Sequence, residues 1–438
     1  MVAKRDPESR GFNFLRSHRK SLSGINTKEI FFAPRFFYPI RIDLCMSSFA
    51  CPRKQQHVDC EVGMRVKCYK RRFDLIINLQ MFLLILLLFA SLLLVWAVWR
   101  HVCISGQDSF HVARMEMPLS GEFKILQIAD VQIGHLNDAC KDVTEEEQQW
   151  PCDGRNTTAF IERLTRNEKP NLVVFTGDNV YGTKGDKYAQ KLLALMTTPM
   201  RELKIPFVMV LGNHDVELPF MSATRMHGFL RKDSSAGGAG ALMSGNGVVK
   251  VMRNHTELIQ IHLFEYMYRY CIRCTNGVQS QNGGYLAVTE KQIKKFEEQS
   301  NPRVLSLAFA HIPLAQYKGV PMVGGGDNFD NLNFAADGML YDALYRQNVS
   351  VFSAGHDHIN DFCGRRSGGV YLCYGGGVGY TTYGKAGWPR RARIFVVQNG
   401  TVRTYIRRDD ASFSKTRDRY VNDVFHFKWN ASDGSITA

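Results

Sequence analysis

The chain has 438 residues, of which 45% are hydrophobic and 22% are charged. This composition excludes a disordered chain, a collagen-like chain and a small disulfide-rich chain. The formal charge of +14 is unevenly placed, since residues 1–73 carry 16 lysines and arginines against 6 aspartates and glutamates, and the remainder is close to balance.

The first strong element in the chain is an uncharged run of 25 residues, from Leu75 to Trp99. About 20 apolar residues cross a bilayer as a helix, so we predict a transmembrane helix over residues 74–100. The basic flank before it places residues 1–73 in the cytosol, as a disordered tail. Residues 101–120 are then a juxtamembrane linker, and everything beyond them is lumenal or extracellular.

Sequons and cysteines agree with this single-pass orientation. All five N-glycosylation sequons follow the helix: Asn156, Asn254, Asn348, Asn399 and Asn430. Three cysteine pairs beyond the helix are close in sequence: Cys140/Cys152, Cys271/Cys274 and Cys363/Cys373. Glycosylation and disulfide formation both belong to the secretory pathway, so we predict a glycoprotein with disulfides.

Strand and helix patterns alternate over residues 121–410, which predicts one α/β domain. Apolar runs predict strands buried on both faces: Phe123–Ala129, Leu172–Thr176, Phe207–Leu211, Val304–Ala310, Val349–Ala354 and Val370–Tyr374. Helices are predicted between them: Thr158–Asn167, Lys187–Thr197, Glu290–Gln299 and Met339–Arg346. A hairpin turning at Asn399 closes the domain, and residues 411–438 form a C-terminal extension. Residues 233–250, rich in Gly, Ser and Ala, are predicted to be a flexible loop or an insertion.

Five of the predicted strands end in side chains that can bind a metal ion. The endings are Asp130, Gly177-Asp178-Asn179-Val180-Tyr181, Gly212-Asn213-His214-Asp215, His311 and Gly355-His356-Asp357-His358. In α/β sheets, sites form beyond the carboxyl ends of the strands. We therefore expect these endings to converge on one site.

The set offers seven candidate metal ligands: Asp130, Asp178, Tyr181, Asn213, His311, His356 and His358. Seven ligands exceed the four of a tetrahedral zinc site and suit two adjacent ions that share a carboxylate, for which Asp178 is the natural bridge. A phenolate favours a hard trivalent ion, whereas Asn and His suit a divalent one. The set predicts Fe(III) paired with Zn, Mn or Fe(II).

These motifs, in this order, resemble those of the calcineurin-like metallophosphoesterase superfamily and, within it, the purple acid phosphatases. They are most similar to the plant subgroup labelled probable inactive purple acid phosphatases and to related fungal phosphatases. The likeness covers about residues 121–400 and extends beyond the ligands, with matching stretches at NTTAF (156–160), EKPNLVVFTGDN (168–179), VLGNHD (210–215), HIPL (311–314), GHDHINDFCG (355–364) and YLCYGGGVGYTTYGKAGWPRRAR (371–393).

The resemblance implies a metallophosphoesterase-type α/β/β/α sandwich and a role for each ligand. One metal ion would be bound by Asp130, Asp178, Tyr181 and His358. The other would be bound by Asp178, Asn213, His311 and His356. His214 would serve as proton donor or transition-state stabiliser, with Asp215 orienting it. The implied reaction is that of an acid phosphatase, in which a metal-bound hydroxide attacks phosphorus in line.

The sequence departs from the family pattern at several places. Gln132 stands where many superfamily members have a histidine ligand, and Tyr181 occupies the position that purple enzymes use instead; the plant subgroup has the opposite pairing. No histidine lies between residues 312 and 355, where purple enzymes place histidines that contact the substrate. Tyr317 or Asn333 are the candidates for that contact.

The leading interpretation is a membrane-anchored phosphatase whose substrate is a phosphorylated small molecule or a phosphoprotein. Two alternatives stay open. The same site chemistry serves a phosphodiesterase for nucleotide or phospholipid headgroups, and a catalytically weak pseudophosphatase would act as a binding protein. Nucleic acid is not an expected partner, because the basic tail lies across the membrane from the domain. The arginines Arg390, Arg391 and Arg393 are expected on a solvated face.

Overall fold

A computed structural model of the chain describes residues 78–97, 109–148, 151–182, 185–216, 223–234, 241–266, 287–323, 339–365, 369–416, 419–420, 428–429 and 436–437. The predicted tail of residues 1–73, the Cys271/Cys274 pair, Asn333 and Asn430 lie outside the described residues.

The first helix, α1 (Asn78–Ala97), has 20 residues and a mean hydropathy of 2.6 over its most apolar stretch. Its side chains are exposed along its whole length. A helix of this length spans roughly 30 Å, the thickness of the hydrocarbon core of a bilayer. By length and composition, α1 could therefore serve as a membrane anchor.

The other described helices all lie beyond residue 140: α2 (Glu145–Gln148), α3 (Gly154–Glu168), α4 (Asp186–Glu202), α5 (Ala223–Ser234), α6 (Glu290–Gln299) and α7 (Leu340–Arg346). The strands begin at residue 111: β1 (His111–Glu116), β2 (Glu122–Ile128), β3 (Leu172–Thr176), β4 (Phe207–Val210), β5 (Ala241–Ser244), β6 (Gly247–Arg253), β7 (Thr256–Phe264), β8 (Leu305–Ala310), β9 (Met322–Val323), β10 (Val349–Ala354), β11 (Cys363–Arg365), β12 (Tyr371–Tyr374), β13 (Arg391–Gln398), β14 (Thr401–Arg408), β15 (Arg419–Tyr420), β16 (Lys428–Trp429) and β17 (Ile436–Thr437).

The strands form two large sheets. One has seven strands in the order β15-β14-β13-β2-β3-β4-β5, and the other has eight in the order β1-β6-β7-β8-β10-β12-β11-β9. Parallel pairing joins β2, β3 and β4 in the first sheet and β7, β8, β10 and β12 in the second. Parallel strands present their carboxyl ends at the same edge, so each sheet gathers several strand endings at one place.

Three apolar layers hold the domain together. Successive residues of a strand point to opposite faces. On β2, Ile125 faces a cluster shared by the two sheets, while Leu126 faces a second cluster that contains Phe160 of α3. A third cluster packs Phe296 of α6 against the outer face of the eight-stranded sheet, beside Phe352 of β10. The two sheets thus pack face to face with helices outside each, which confirms the predicted α/β/β/α sandwich.

The strands and helices predicted from apolar runs are all present, with small shifts at their ends. The prediction of a flexible loop at 233–250 is wrong where the structure describes it, because β5 and most of β6 lie there. The run of Gly and Ala at 236–241 is typical of a loop and obscures the strand patterns that follow it. Two strands outside the predicted limits of 121–410 pair with strands inside them: β1 pairs with β6, and β15 pairs with β14.

Among the cysteines that the structure describes, two disulfides are formed, Cys140–Cys152 and Cys363–Cys373. The first lies at the start of α3, and the second joins neighbouring residues of the antiparallel strands β11 and β12. Both match predicted pairs. Disulfides are a feature of oxidising compartments, which favours a lumenal or extracellular domain.

Candidate metal centre

The predicted ligands come from the carboxyl ends of strands in both sheets. Asp130 follows β2, Asp178 follows β3 and Asn213 follows β4, all in the seven-stranded sheet. His311 follows β8, and the 356–358 turn follows β10, in the eight-stranded sheet. The site therefore lies at one end of the sandwich, where the two sheets meet.

Direct contacts join these side chains into one cluster. Nε2 of His311 lies 3.3 Å from Oδ1 of Asp178 and 3.1 Å from Oδ1 of Asn213. Nε2 of His358 lies 3.3 Å from Oδ1 of Asp130. Ligand atoms of Asp178, His311 and His356 all lie within 4.8 Å of one another. The structure thus brings six of the seven predicted ligands together.

Three of the predicted ligands have a left-handed backbone, an uncommon conformation for residues other than glycine. The φ angles are +54° at Asp130, +51° at Asp178 and +71° at His356. Each such residue costs of order 1–3 kcal/mol and persists where the surrounding structure requires it, often at functional sites. The backbone NH of His356 donates to Oδ2 of Asp130 at 2.8 Å, so one strained turn is tied to the other.

Two glycines of the motifs leave room for their neighbours in the cluster. A Cβ atom on Gly177 would lie 2.7 Å from the ring of His311, and Gly177 has a φ of +92° that a side chain would strain. A Cβ atom on Gly212 would overlap the carboxylate and the backbone nitrogen of Asp178. The glycines of the motifs are therefore required by close packing of the ligands.

The histidine rings are oriented as metal-binding histidines usually are. Nδ1 of His311 donates to the carbonyl of Thr176 at 2.9 Å, and Nδ1 of His358 donates to the carbonyl of Tyr383 at 2.8 Å. These bonds leave each Nε2 facing the carboxylates, as in metal sites. Nε2 of His358 is buried and has no hydrogen-bond partner among the described residues. A metal ion would satisfy this atom, so the residues present fit the metal centre that the donor set suggests.

The pKa values show how strongly these buried groups depend on one another. Burial alone would lower the pKa of His311, but the adjacent Asp178 raises it to about 9. Burial also opposes ionisation of Asp178, yet His311 holds the pKa of that carboxyl well below its usual range. Burial lowers the pKa of His356 to about 3. Without a metal ion, the charged His311 ring therefore compensates the charge of Asp178, and a cation that binds there takes the place of the His311 proton.

Tyr181 lies at the rim of the cluster. Its side chain is 44% exposed, and its ring packs edge-on against His214 at a centroid distance of 4.8 Å. Nε2 of His214 lies 3.8 Å from Oδ2 of Asp178, and the backbone NH of His214 donates to Oδ1 of Asp178 at 2.9 Å. Tyr181 is thus connected to the other ligands through His214, which itself is partly open to solvent.

Asp215 is buried, and its hydrogen bonds fix the conformation of the turns that follow β3 and β4. Its carboxylate accepts hydrogen bonds from the backbone NH groups of Asn179, Val180 and Gly212, at 2.8–2.9 Å. Burial and the nearby Asp178 raise its pKa to about 7. These bonds link the turn that carries Asp178 to the turn that carries Asn213, and they give Asp215 a positioning role for both.

Three residues at the site were not among the predicted site residues. Nε2 of Gln132 donates to Oδ2 of Asp178 at 2.7 Å, and the hydroxyl of Thr382 donates to Oε1 of Gln132. Tyr383 stacks on His358. Gln132 was visible in the sequence as a departure from the family pattern. Thr382 and Tyr383 lie within the matching 371–393 stretch, but nothing local marks them as site residues.

Two expectations about other residues are wrong. Tyr317 is fully buried and its hydroxyl hydrogen-bonds to the carbonyls of Phe352 and Cys373, so it faces the core and is not positioned to contact a substrate. The arginines expected on a solvated face are buried: Arg390, Arg391 and Arg393. The sequence pattern does not reveal this burial, because the carboxylate that pairs with Arg391 belongs to Asp361, outside the local run.

Comparison with known proteins places this architecture among characterised families. The family model described as calcineurin-like phosphoesterase matches residues 123–360. A protein of Arabidopsis thaliana named probable inactive purple acid phosphatase 28 is 31% identical over 353 residues, which cover 72% of this chain and 86% of that protein. Phosphatase DCR2 of Saccharomyces cerevisiae is 28% identical, over 65% of this chain and 53% of that protein. The crystal structure of a dimetal phosphatase from Danio rerio is 15% identical, with a TM-score of 0.44, over 68% of this chain and 98% of that chain.

Proposed function

We propose that this chain, which belongs to the calcineurin-like phosphoesterase family, is a membrane-anchored phosphatase acting on phosphomonoesters. Members of the family are metal-dependent hydrolases of phosphoric esters that use two metal ions. The observation that carries the proposal is the buried cluster around Asp178, His311 and His356, with its ligand atoms within 4.8 Å of one another. Its substrate would be a phosphorylated small molecule or a phosphoprotein.

In this proposal seven side chains hold two metal ions. One ion is held by Asp130, Asp178, Tyr181 and His358. The other is held by Asp178, Asn213, His311 and His356. When bound, two such ions lower the pKa of a water molecule to supply a nucleophile and stabilise charge on the phosphate oxygens. Tyr181 would favour Fe(III) at the first position, with Zn, Mn or Fe(II) at the second.

The remaining residues orient these ligands and handle the proton. Gln132 holds Oδ2 of Asp178 through a 2.7 Å hydrogen bond, so this carboxylate is fixed before a metal ion arrives. His214 is partly open to solvent and sits 3.8 Å from the same oxygen. From that position its Nε2 would donate a proton to the departing oxygen of the substrate.

The test compares a monoester with a diester. The full chain, made in a secretory host and purified in detergent, should hydrolyse p-nitrophenyl phosphate with a kcat/KM about 100-fold above that for bis-p-nitrophenyl phosphate. Chelation of the metal should abolish this turnover, and iron, zinc or manganese should restore it. Faster turnover of the diester would replace the proposal with a phosphodiesterase. Bound metal without turnover of either ester would indicate a binding protein instead.

The proposed anchoring puts the domain in the secretory lumen or at the cell surface. The support is α1, the two disulfides, and sequons at Asn254 and Asn399, both of which are exposed in turns between strands. In sealed microsomes the domain should resist added protease, and peptide-N-glycanase should reduce its apparent mass. An unglycosylated domain that protease removes from intact microsomes would show the opposite orientation.

A further inference from the structure

Tyr383 lies directly against the candidate metal centre. Its ring stacks on the ring of His358 with a centroid distance of 3.9 Å and an interplanar angle of 15°. Nε2 of His358 also contacts the carboxylate of Asp130, at 3.3 Å from Oδ1. One face of the Tyr383 ring is therefore covered by a proposed metal ligand, within reach of any group attached to a phosphate bound there.

The Tyr383 side chain points its hydroxyl inward, which is the reverse of the usual orientation of a tyrosine. Tyrosine usually buries its ring and leaves its hydroxyl at the surface. Here the hydroxyl donates to the carbonyl of His356 at 3.2 Å and accepts from the backbone NH of His358 at 3.3 Å. The side chain as a whole is nevertheless 45% exposed. Because the polar end is turned inward and one face covers His358, the solvent-facing surface is the outer face and edge of the ring.

The segment that carries Tyr383 is firmly held. The guanidinium of the buried Arg390 donates to the carbonyl of Thr382 at 3.1 Å. The hydroxyl of Tyr380 lies in hydrogen-bonding contact with Glu147 at 2.6 Å and with Asp409 at 2.8 Å. The ring is thus presented in a fixed position, and little conformational entropy would be lost when a ligand packs on it.

We infer that Tyr383 is a specificity residue whose outer face stacks on a planar ring in the substrate, so that the preferred substrates are phosphate esters that carry an aromatic ring. The inference rests on the proposed function, because it takes the phosphate to bind at the metal centre. A fixed aromatic face attracts another π system by stacking, at about 1–3 kcal/mol for a ring the size of a nucleobase. It offers much less to a small aliphatic alcohol.

The test uses phosphonates that cannot be hydrolysed, because aromatic esters also react faster for reasons of leaving-group chemistry. Binding of phenylphosphonate and of methylphosphonate is measured by calorimetry on the metal-loaded full chain. The wild type should bind phenylphosphonate at least about tenfold more tightly. Tyr383→Leu should remove most of that difference, while Tyr383→Phe, which keeps the ring, should retain it.

The ratio of the two affinities distinguishes stacking on the ligand from a purely structural role of Tyr383. If Tyr383 only supported His358, Tyr383→Leu would weaken both phosphonates by the same factor, and that result would overturn the inference. Equal affinities in the wild type would overturn it as well. A chain that discriminates between the phosphonates yet hydrolyses no ester would keep the inference and refute the proposed phosphatase activity. Phosphotyrosine and adenosine monophosphate, tested as competitors of phenylphosphonate, then distinguish a phenyl ring from a nucleobase.

Discussion

Replacing Asp178 by asparagine is expected to remove at least one metal ion per chain and to reduce kcat for p-nitrophenyl phosphate by about a thousandfold, or roughly 4 kcal/mol in the barrier. Asp178 is fully buried and contacts His311, Gln132 and the backbone of His214. An asparagine side chain at this position would be nearly the same size but would carry no charge to share between two cations. Metal content by mass spectrometry and steady-state kinetics measure the two effects.

The matched control is Asp342→Asn, which changes an exposed aspartate in the first turn of α7. This variant should keep both metal content and turnover. If Asp178→Asn retained two metal ions per chain and turned over as fast as the control, Asp178 would not be the bridge between the ions. The sharing of ligands proposed above would then be incorrect.

The second large effect is expected for a substitution at Arg391, which should lower the free energy of unfolding. Arg391 and Asp361 form an ion pair at 2.7 Å, with only 4% and 2% of their side chains exposed. Arg391→Ala would leave the carboxylate of Asp361 buried without its cation, a change that costs about 3–5 kcal/mol. For a domain of about 300 residues the melting temperature should fall by about 5–8 °C. Thermal unfolding of the full chain in detergent, followed by circular dichroism, measures this shift.

Arg346→Ala provides the comparison at the surface. Arg346 pairs with Glu297 at the same distance of 2.7 Å, but 55% and 33% of the two side chains are exposed. Such a pair contributes about 0–1 kcal/mol, so the melting temperature should move by no more than about 3 °C. If the two variants had the same melting temperature, burial would not be the source of the stability attributed to Arg391. The double variant Arg391→Met with Asp361→Leu should recover much of the loss, since no charge remains unpaired.

The fold could be predicted where local patterns and tertiary environment agree. The strands β3, β8 and β10 are largely apolar because both of their faces are buried, and such runs are visible in the sequence. The segment 241–264 was harder to predict. Its strands β6 and β7 follow a run of small residues, and their pairing with β1 and β8 is a long-range property.

The candidate site likewise contains residues that could be predicted from the sequence and residues that could not. Six of the predicted ligands meet because they follow strands whose carboxyl ends lie together, and this could be expected from the order of the motifs. The supporting residues could not be identified. Gln132 contacts Asp178, and Thr382 reaches Gln132 across about 250 residues of chain. Contacts of this kind depend on how the two sheets are placed, which no local pattern encodes.

The burial of the arginines could not be predicted from the sequence either. A run of Arg390, Arg391 and Arg393 in the sequence is typical of a solvated surface, because arginine is seldom fully buried unless it is paired. In the structure Arg393 donates to the carbonyls of Tyr374 and Asp361, and Arg391 pairs with the Asp361 side chain. Both arginines therefore fix the strand and turn that follow the 356–358 ligands.

The metal content of the full chain tests the central claim most directly. The chain, made in a secretory host and reloaded with iron and zinc, should contain about two metal ions per molecule, and a tyrosinate-to-iron absorption band in the visible region should disappear in Tyr181→Phe. Two ions without that band would keep the dinuclear centre and remove Tyr181 from the iron. A folded chain that binds no metal ion, even after reloading with iron, zinc or manganese, would contradict the account of the site.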